Sequence, residues 1–167
     1  ADLNADPDIV EINMDARVAD VEIAPGRRVQ AWTYNGFLPG PLIHVKVGDR
    51  LIVHFTNRLP QATTIHWHGL RIPITMDGVP GHSQPDVQPG QSFTYDFVVP
   101  DAGLYWYHPH VMSAAQVGFG LYGAFLVDDP SETFTAPEEH VIVLSEDRKS
   151  TRLNSSHVSE SRMPSSA

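Results

Sequence analysis

The chain has 167 residues, no cysteine, and 11 Lys and Arg against 20 Asp and Glu, a formal charge of −9. That length suits one domain with a real core, and no apolar run approaches the ~18 residues of a membrane span. The acidic balance argues against a nucleic-acid binder, and the lack of cysteine excludes disulfides, thiolate nucleophiles, zinc fingers and a blue-copper site completed within these residues.

The chain opens on a polar, acidic stretch, ADLNADPD, with neither the basic nor the apolar region of a secretory leader. A mature secreted protein and a cytosolic one would both begin this way. Beyond it, apolar residues recur at period 2. Ile12, Met14, Ala16 and Val18 alternate with polar neighbours, as do Ile43, Val45 and Val47, then Leu51, Val53 and Phe55, and later Phe93, Tyr95, Phe97 and Val99. Each run predicts a half-buried strand with one face on a core. Gly and Pro punctuate them at Pro25-Gly26, Asn35-Gly36, Pro39-Gly40-Pro41, Gly48-Asp49, Pro89-Gly90 and Asp101-Ala102-Gly103. Short strands with such turns predict an all-β, antiparallel sandwich or barrel. The stretch from Val111 to Phe119, bounded by Gly118 and Gly120, allows one or two helical turns at most.

Two histidine pairs carry the chemistry: His66-Trp67-His68-Gly69 and His108-Pro109-His110. On an extended strand, residues i and i+2 project from the same face about 6.6–7 Å apart, so each pair can grip one metal or hold two side by side. Four imidazoles make a nitrogen-rich site suited to copper, zinc, iron or nickel and unsuited to calcium or magnesium. Each pair follows a β-patterned segment, Thr63-Thr64-Ile65 or Leu104-Tyr105-Trp106-Tyr107. Single histidines in strands are ordinarily partnered polar residues, the reading for His44, His54, His82, His140 and His157. Trp67, between two candidate ligands, is expected to point away from them into the core.

Thr33-Tyr34-Asn35-Gly36, Pro39-Gly40-Pro41, Val47-Gly48-Asp49, the His66 run, Met76-Asp77-Gly78-Val79-Pro80 and Tyr105-Trp106-Tyr107-His108-Pro109-His110 appear in that order. Together they resemble the N-terminal cupredoxin (plastocyanin-like) domain of the laccase-like multicopper oxidases, over essentially Ile9 to Pro130. The resemblance implies a Greek-key β-sandwich that supplies four of the eight histidines around a trinuclear copper cluster, where O2 is reduced to water. By position, it assigns His66 to the type 2 copper and His68, His108 and His110 to the type 3 pair. It also implies a catalytic role for Asp77, whose carboxylate would hydrogen-bond a ligand or water and relay protons. An Asp-Gly turn is the plainer alternative for that residue.

In that family the other cluster histidines and the type 1 copper, with its cysteine, lie in a C-terminal cupredoxin domain, and His-x-x-His-x-His and His-Cys-His are absent here. The expectation is therefore a fragment: residues 1–130 as the first cupredoxin domain, 131–147 as the start of a second, and 148–167 as a tail of foreign origin. That tail, RKSTRLNSSHVSESRMPSSA, carries four basic residues and one acid, so the rest of the chain carries −12. It shows no structural period, is expected to be disordered or non-native, and resembles translated adaptor sequence found at the ends of unrelated chains. For the parent protein the family resemblance implies as partners O2, a reducing substrate (a phenol, an aromatic amine or a metal ion) and the missing C-terminal cupredoxin domains, and a periplasmic or secreted location. The alternatives are a stand-alone copper- or zinc-binding module, a copper nitrite reductase or a two-domain laccase. A nitrite reductase would need a cysteine in its first domain. The spelling around His66 and Trp106 is closer to three-domain enzymes.

Overall fold

The structure, a computed structural model, describes residues 2–133, 138–146 and 156–160. They fall in two units, Ala1–Ser131 and Glu132–Ala167.

The first unit is a two-sheet sandwich. Its strands are β1 (Ile9–Ala24), β2 (Arg27–Tyr34), β3 (Gly40–Lys46), β4 (Arg50–Asn57), β5 (His66–His68), β6 (Ser92–Val98), β7 (Gly103–His108) and β8 (Gly123–Asp128), with one α-helix, α1 (Ser113–Phe119), and one turn of 3-10 helix, Ile74–Met76. The first sheet runs β2-β1-β4-β6 and the second β3-β8-β7-β5. Period 2 directs one set of side chains from each sheet between the layers. Met14, Ala16, Leu51, Val53, Phe55, Tyr95 and Phe97 come from one side, and Ile43, Val45, Trp67, Tyr107, Phe125 and Val127 from the other. Trp67 is fully buried at the centre, its ring 5.4 Å from Tyr95, 5.3 Å from Phe97 and 5.9 Å from Phe125. Aromatic pairs at these separations add to stability beyond the area they bury.

Two features depart from the expected antiparallel arrangement. β1 pairs in parallel with β4, and β3 in parallel with β8. The chain crosses between the sheets at β3 before it returns beside β1, so the two neighbours run the same way. β1 is also shared along its length: Ile9 to Ala16 pair with β4, and Ala16 to Ala24 with β2. That division explains why Val18 is exposed although it continues the Met14 and Ala16 alternation. β2 and β8 escape a period-2 reading. In β8 the run Gly123-Ala124-Phe125 is buried at every position, so both faces of the sheet are covered there and the alternation is lost.

α1 spans seven residues, in keeping with the expected one or two turns. It ends at Gly120, whose φ of +119° suits glycine and where a Cβ would meet the Trp32 carbonyl oxygen at 2.7 Å. No helix among the described residues is long and apolar enough to cross a membrane.

In the second unit, β9 (Ile142–Glu146) pairs antiparallel with β10 (Ser156–Glu160), from Ser156 opposite Glu146 to Glu160 opposite Ile142. Part of the tail expected to lack structure is thus a strand, whose main-chain groups bond to β9 without any need of an apolar alternation. The rest of that tail lies outside the described residues.

Candidate metal centre

Strand pairing builds the site. β5 lies antiparallel to β7, with His66 opposite His108, Trp67 opposite Tyr107 and His68 opposite Trp106. Alternation within His66-Trp67-His68 sends the indole to the core and both imidazoles to the other face. β5 itself is only the three residues of the motif; Thr63-Thr64-Ile65, read as β-patterned, contributes a single bridge, Thr63 to Val87. β7 ends at His108, because Pro109 has no N–H to continue the ladder, and His110 follows just beyond.

All four rings meet. His66 lies 5.6 Å from His68, 5.3 Å from His108 and 5.1 Å from His110, centre to centre. One ligand nitrogen from each of His66, His68 and His108 falls within 4.8 Å of the other two. His110 borders this trio, its ring 6.4 Å from that of His108.

Hydrogen bonds select which nitrogens face the centre. His66 Nδ1 donates to the Asp77 carbonyl at 2.7 Å, and His108 Nδ1 donates to the Pro109 carbonyl at 2.8 Å. Carbonyl oxygens only accept, so both Nε2 atoms keep free lone pairs. His68 Nδ1 stands 3.1 Å from His108 Nε2, a contact that a shared cation would replace. Burial pushes the His108 imidazole down to about 4, and the neighbouring His66, His68 and His110 act in the same direction. A neutral imidazole is the form that ligates metal. Nitrogen lone pairs with anchored opposite edges fit a borderline transition-metal cation, and copper is among those such a set takes.

The trio is held by Asp77, the residue expected to hydrogen-bond a ligand, and by further supports that the pattern of histidines did not reveal. Asp77 sits behind His66, its carboxylate Oδ1 3.3 Å from His66 Nδ1. The turn it belongs to presses so closely on β5 that a Cβ at Gly78, where φ is +71°, would lie 1.8 Å from the Ile65 carbonyl oxygen. Tyr95, whose phenol burial pushes far up and so keeps neutral, accepts the Ile65 N–H at 2.7 Å. Thr64 Oγ1 accepts the His110 N–H at 3.2 Å. From α1, buried Gln116 donates to the Ala62 carbonyl at 2.9 Å and accepts from Thr63 Oγ1 at 2.8 Å. The two histidine motifs are therefore tied to each other through Thr63, Thr64 and Gln116.

The remaining histidines have partners elsewhere. His44 meets Asp128 at 2.8 Å, His54 meets Glu11 at 2.7 Å, His82 meets the Pro80 carbonyl at 3.4 Å and His140 meets Glu138 at 3.2 Å. The side chain of His157 lies outside the described residues.

A family model described as multicopper oxidase matches residues 15–132. Copper resistance protein A of Escherichia coli is 45% identical over 123 residues, covering 72% of this chain and 20% of that protein. Laccase-1 of Cryptococcus neoformans var. neoformans is 36% identical over 144 residues, covering 76% of this chain and 23% of that protein. A crystal structure of a multi-copper oxidase from Pseudomonas thermotolerans superimposes with a TM-score of 0.71 at 46% identity, over 74% of this chain and 30% of the other. The chain thus spans about a fifth of the length of the curated relatives it matches.

Proposed function

Because the chain belongs to the multicopper oxidase family, we propose that His66, His68, His108 and His110 are its share of a trinuclear copper centre at which O2 is reduced to water. The observation that carries this reading is the convergence of three imidazole nitrogens within 4.8 Å, with no carboxylate among them. His66 is the type 2 ligand, and His68, His108 and His110 belong to the type 3 pair. Copper, when bound, supplies the one-electron redox chemistry that passes electrons to O2.

The chain's own residues hold the ligands and handle protons. The Asp77 and Pro109 carbonyls fix the tautomers of His66 and His108. The Asp77 carboxylate is partly exposed and stands beside His66, in keeping with a role in bringing in the protons that O2 reduction consumes.

A substrate that supplies electrons, a phenol, an aromatic amine or a metal ion, would be oxidised at a type 1 copper, whose cysteine ligand these residues do not provide. The domain boundaries follow the same reading: 1–130 is the first cupredoxin domain, 131–147 the start of the next and 148–167 a non-native tail. The parent protein is a periplasmic or secreted enzyme, and this chain alone is inactive.

The test is a titration of the full chain with Cu(II), followed by electron paramagnetic resonance and an oxidase assay with a phenol. The expected result is uptake of one or two Cu(II) ions, no blue absorption and no turnover. Steady phenol oxidation by this polypeptide would overturn the division of labour, and no copper uptake would overturn the centre. Preference for Zn(II) over Cu(II) would favour a stand-alone zinc-binding module.

A further inference from the structure

Trp106 lies directly across from His68 in the β5/β7 ladder and on the same face of β7 as His108. Its ring stacks on His108 with centroids 4.1 Å apart and planes at 30°. The same ring is 5.0 Å from His68, with planes at 35°. One aromatic surface therefore covers two adjacent imidazoles whose facing nitrogens are 3.1 Å apart. Trp106 is 38% exposed, whereas Trp67 on the neighbouring strand is wholly buried. Core packing thus accounts for Trp67 and leaves the placement of Trp106 unexplained.

The two states of the histidines interact differently with such a surface. A neutral imidazole gains ordinary stacking. An imidazole bound to a divalent cation carries positive charge, and charge within about 6 Å of an indole face is attracted by the ring quadrupole, for which Trp is the strongest partner. Contact with both rings, stacked on His108 and tilted on His68, also limits their rotation, so less side-chain freedom is lost when a cation gathers them.

We propose that Trp106 is a positioning residue of the metal centre, which orders His68 and His108 and favours their metal-bound, positively charged form over the free one. This role rests on the metal-binding reading above. It sets affinity through the ligands, since the indole itself contributes no donor to the cation.

The experiment compares the full wild-type chain with W106L and W106F, using Cu(II) alone as the probe. Calorimetry reads affinity, electron paramagnetic resonance reads the copper hyperfine pattern, and thermal denaturation of the metal-free protein reads stability. W106L is expected to weaken Cu(II) binding about tenfold and to alter the hyperfine pattern, within the range of a partly desolvated cation–π contact. W106F keeps a ring face and is expected to stay within about threefold of wild type. Metal-free melting should change little in either variant, which separates positioning from general stability. W106M, bulky but without a ring face, gives the same comparison if W106L does not fold. Equal affinity and equal spectra in wild type and W106L would overturn the role of Trp106 alone. Equal losses in W106L and W106F would also overturn it. A wild-type chain that takes up no Cu(II) would overturn the metal centre, and this role with it.

Discussion

The main-chain carbonyl of Asp77 accepts the Nδ1–H of His66 at 2.7 Å, a closer contact than the 3.3 Å between that nitrogen and the Asp77 carboxylate. The residue therefore orients the ligand through its backbone, which a side-chain substitution leaves in place. D77N is expected to hold Cu(II) within about threefold of wild type, whereas G78A should weaken it between about 10- and 100-fold, the usual effect of losing a group that orients a ligand. The reason is steric: a Cβ at Gly78 meets the Ile65 carbonyl oxygen at 1.8 Å and the His66 main-chain nitrogen at 2.9 Å, so the turn must move off His66. Copper titration of both variants checks the contrast. Similar losses in D77N and G78A would place the orienting contact on the carboxylate.

Acid should destabilise the metal-free protein through His108. Its folded-state imidazole is held down to about 4 by burial and by its histidine neighbours. An unfolded histidine titrates near 6.5, so below that pH the unfolded chain takes up a proton that the folded one refuses. The contribution is fully present above about 6.5 and is lost as pH falls towards 4, on the order of 3 kcal/mol at the lower end. Urea denaturation between pH 7 and pH 4 should show this slope in wild type and a shallower one in H108N.

Removing ligands should separate the two kinds of histidine. H66A, H68A and H108A are each expected to weaken Cu(II) binding at least about tenfold, because three convergent nitrogens become two. H44Q and H54Q should bind as wild type does, since His44 and His54 are engaged with Asp128 and Glu11 and neither belongs to the cluster of convergent nitrogens. Calorimetry on the five variants reads the difference directly.

Gln116 tests the link between the motifs. Q116L would remove the Gln116 donor from the Ala62 carbonyl and leave the Thr63 hydroxyl only its long 3.4 Å contact with the Thr64 carbonyl, at a cost of about 1–3 kcal/mol for a buried group left unsatisfied. The melting temperature should fall, and copper affinity should fall with it, because α1 follows His110 in the chain and holds the segment that leads into His66. A stable Q116L with unchanged affinity would show that the helix contributes nothing to the centre.

Much of this was legible in the residues. The inward sets Leu51, Val53, Phe55 and Tyr95, Phe97, Val99 follow from alternation, because each strand is covered on one side only. The burial of Trp67 follows from the same rule. Parallel pairing was not legible: nothing local to β1 or β4 specifies direction, which depends on the route taken through β3. Nor does alternation identify β8, where successive residues are buried because both faces of the strand are covered. At the site, the spacing of the histidines identified the candidate ligands and the family resemblance named Asp77 beside them, but the other supports were hidden. Gln116 and Thr64 are ordinary polar residues until α1 and the His110 backbone are brought against them, and Gly78 reads as a common turn residue until its proximity to Ile65 is known.

The alternation of β5 has one more consequence. A shift of a single residue against β7 would drive His66 and His68 into the apolar interior and expel Trp67, so the wrong pairing forfeits the central core residue and the binding surface in one stroke. Copper uptake would then act as a proofreading signal: a chain that captures the ion has, by that fact, aligned its sheet correctly.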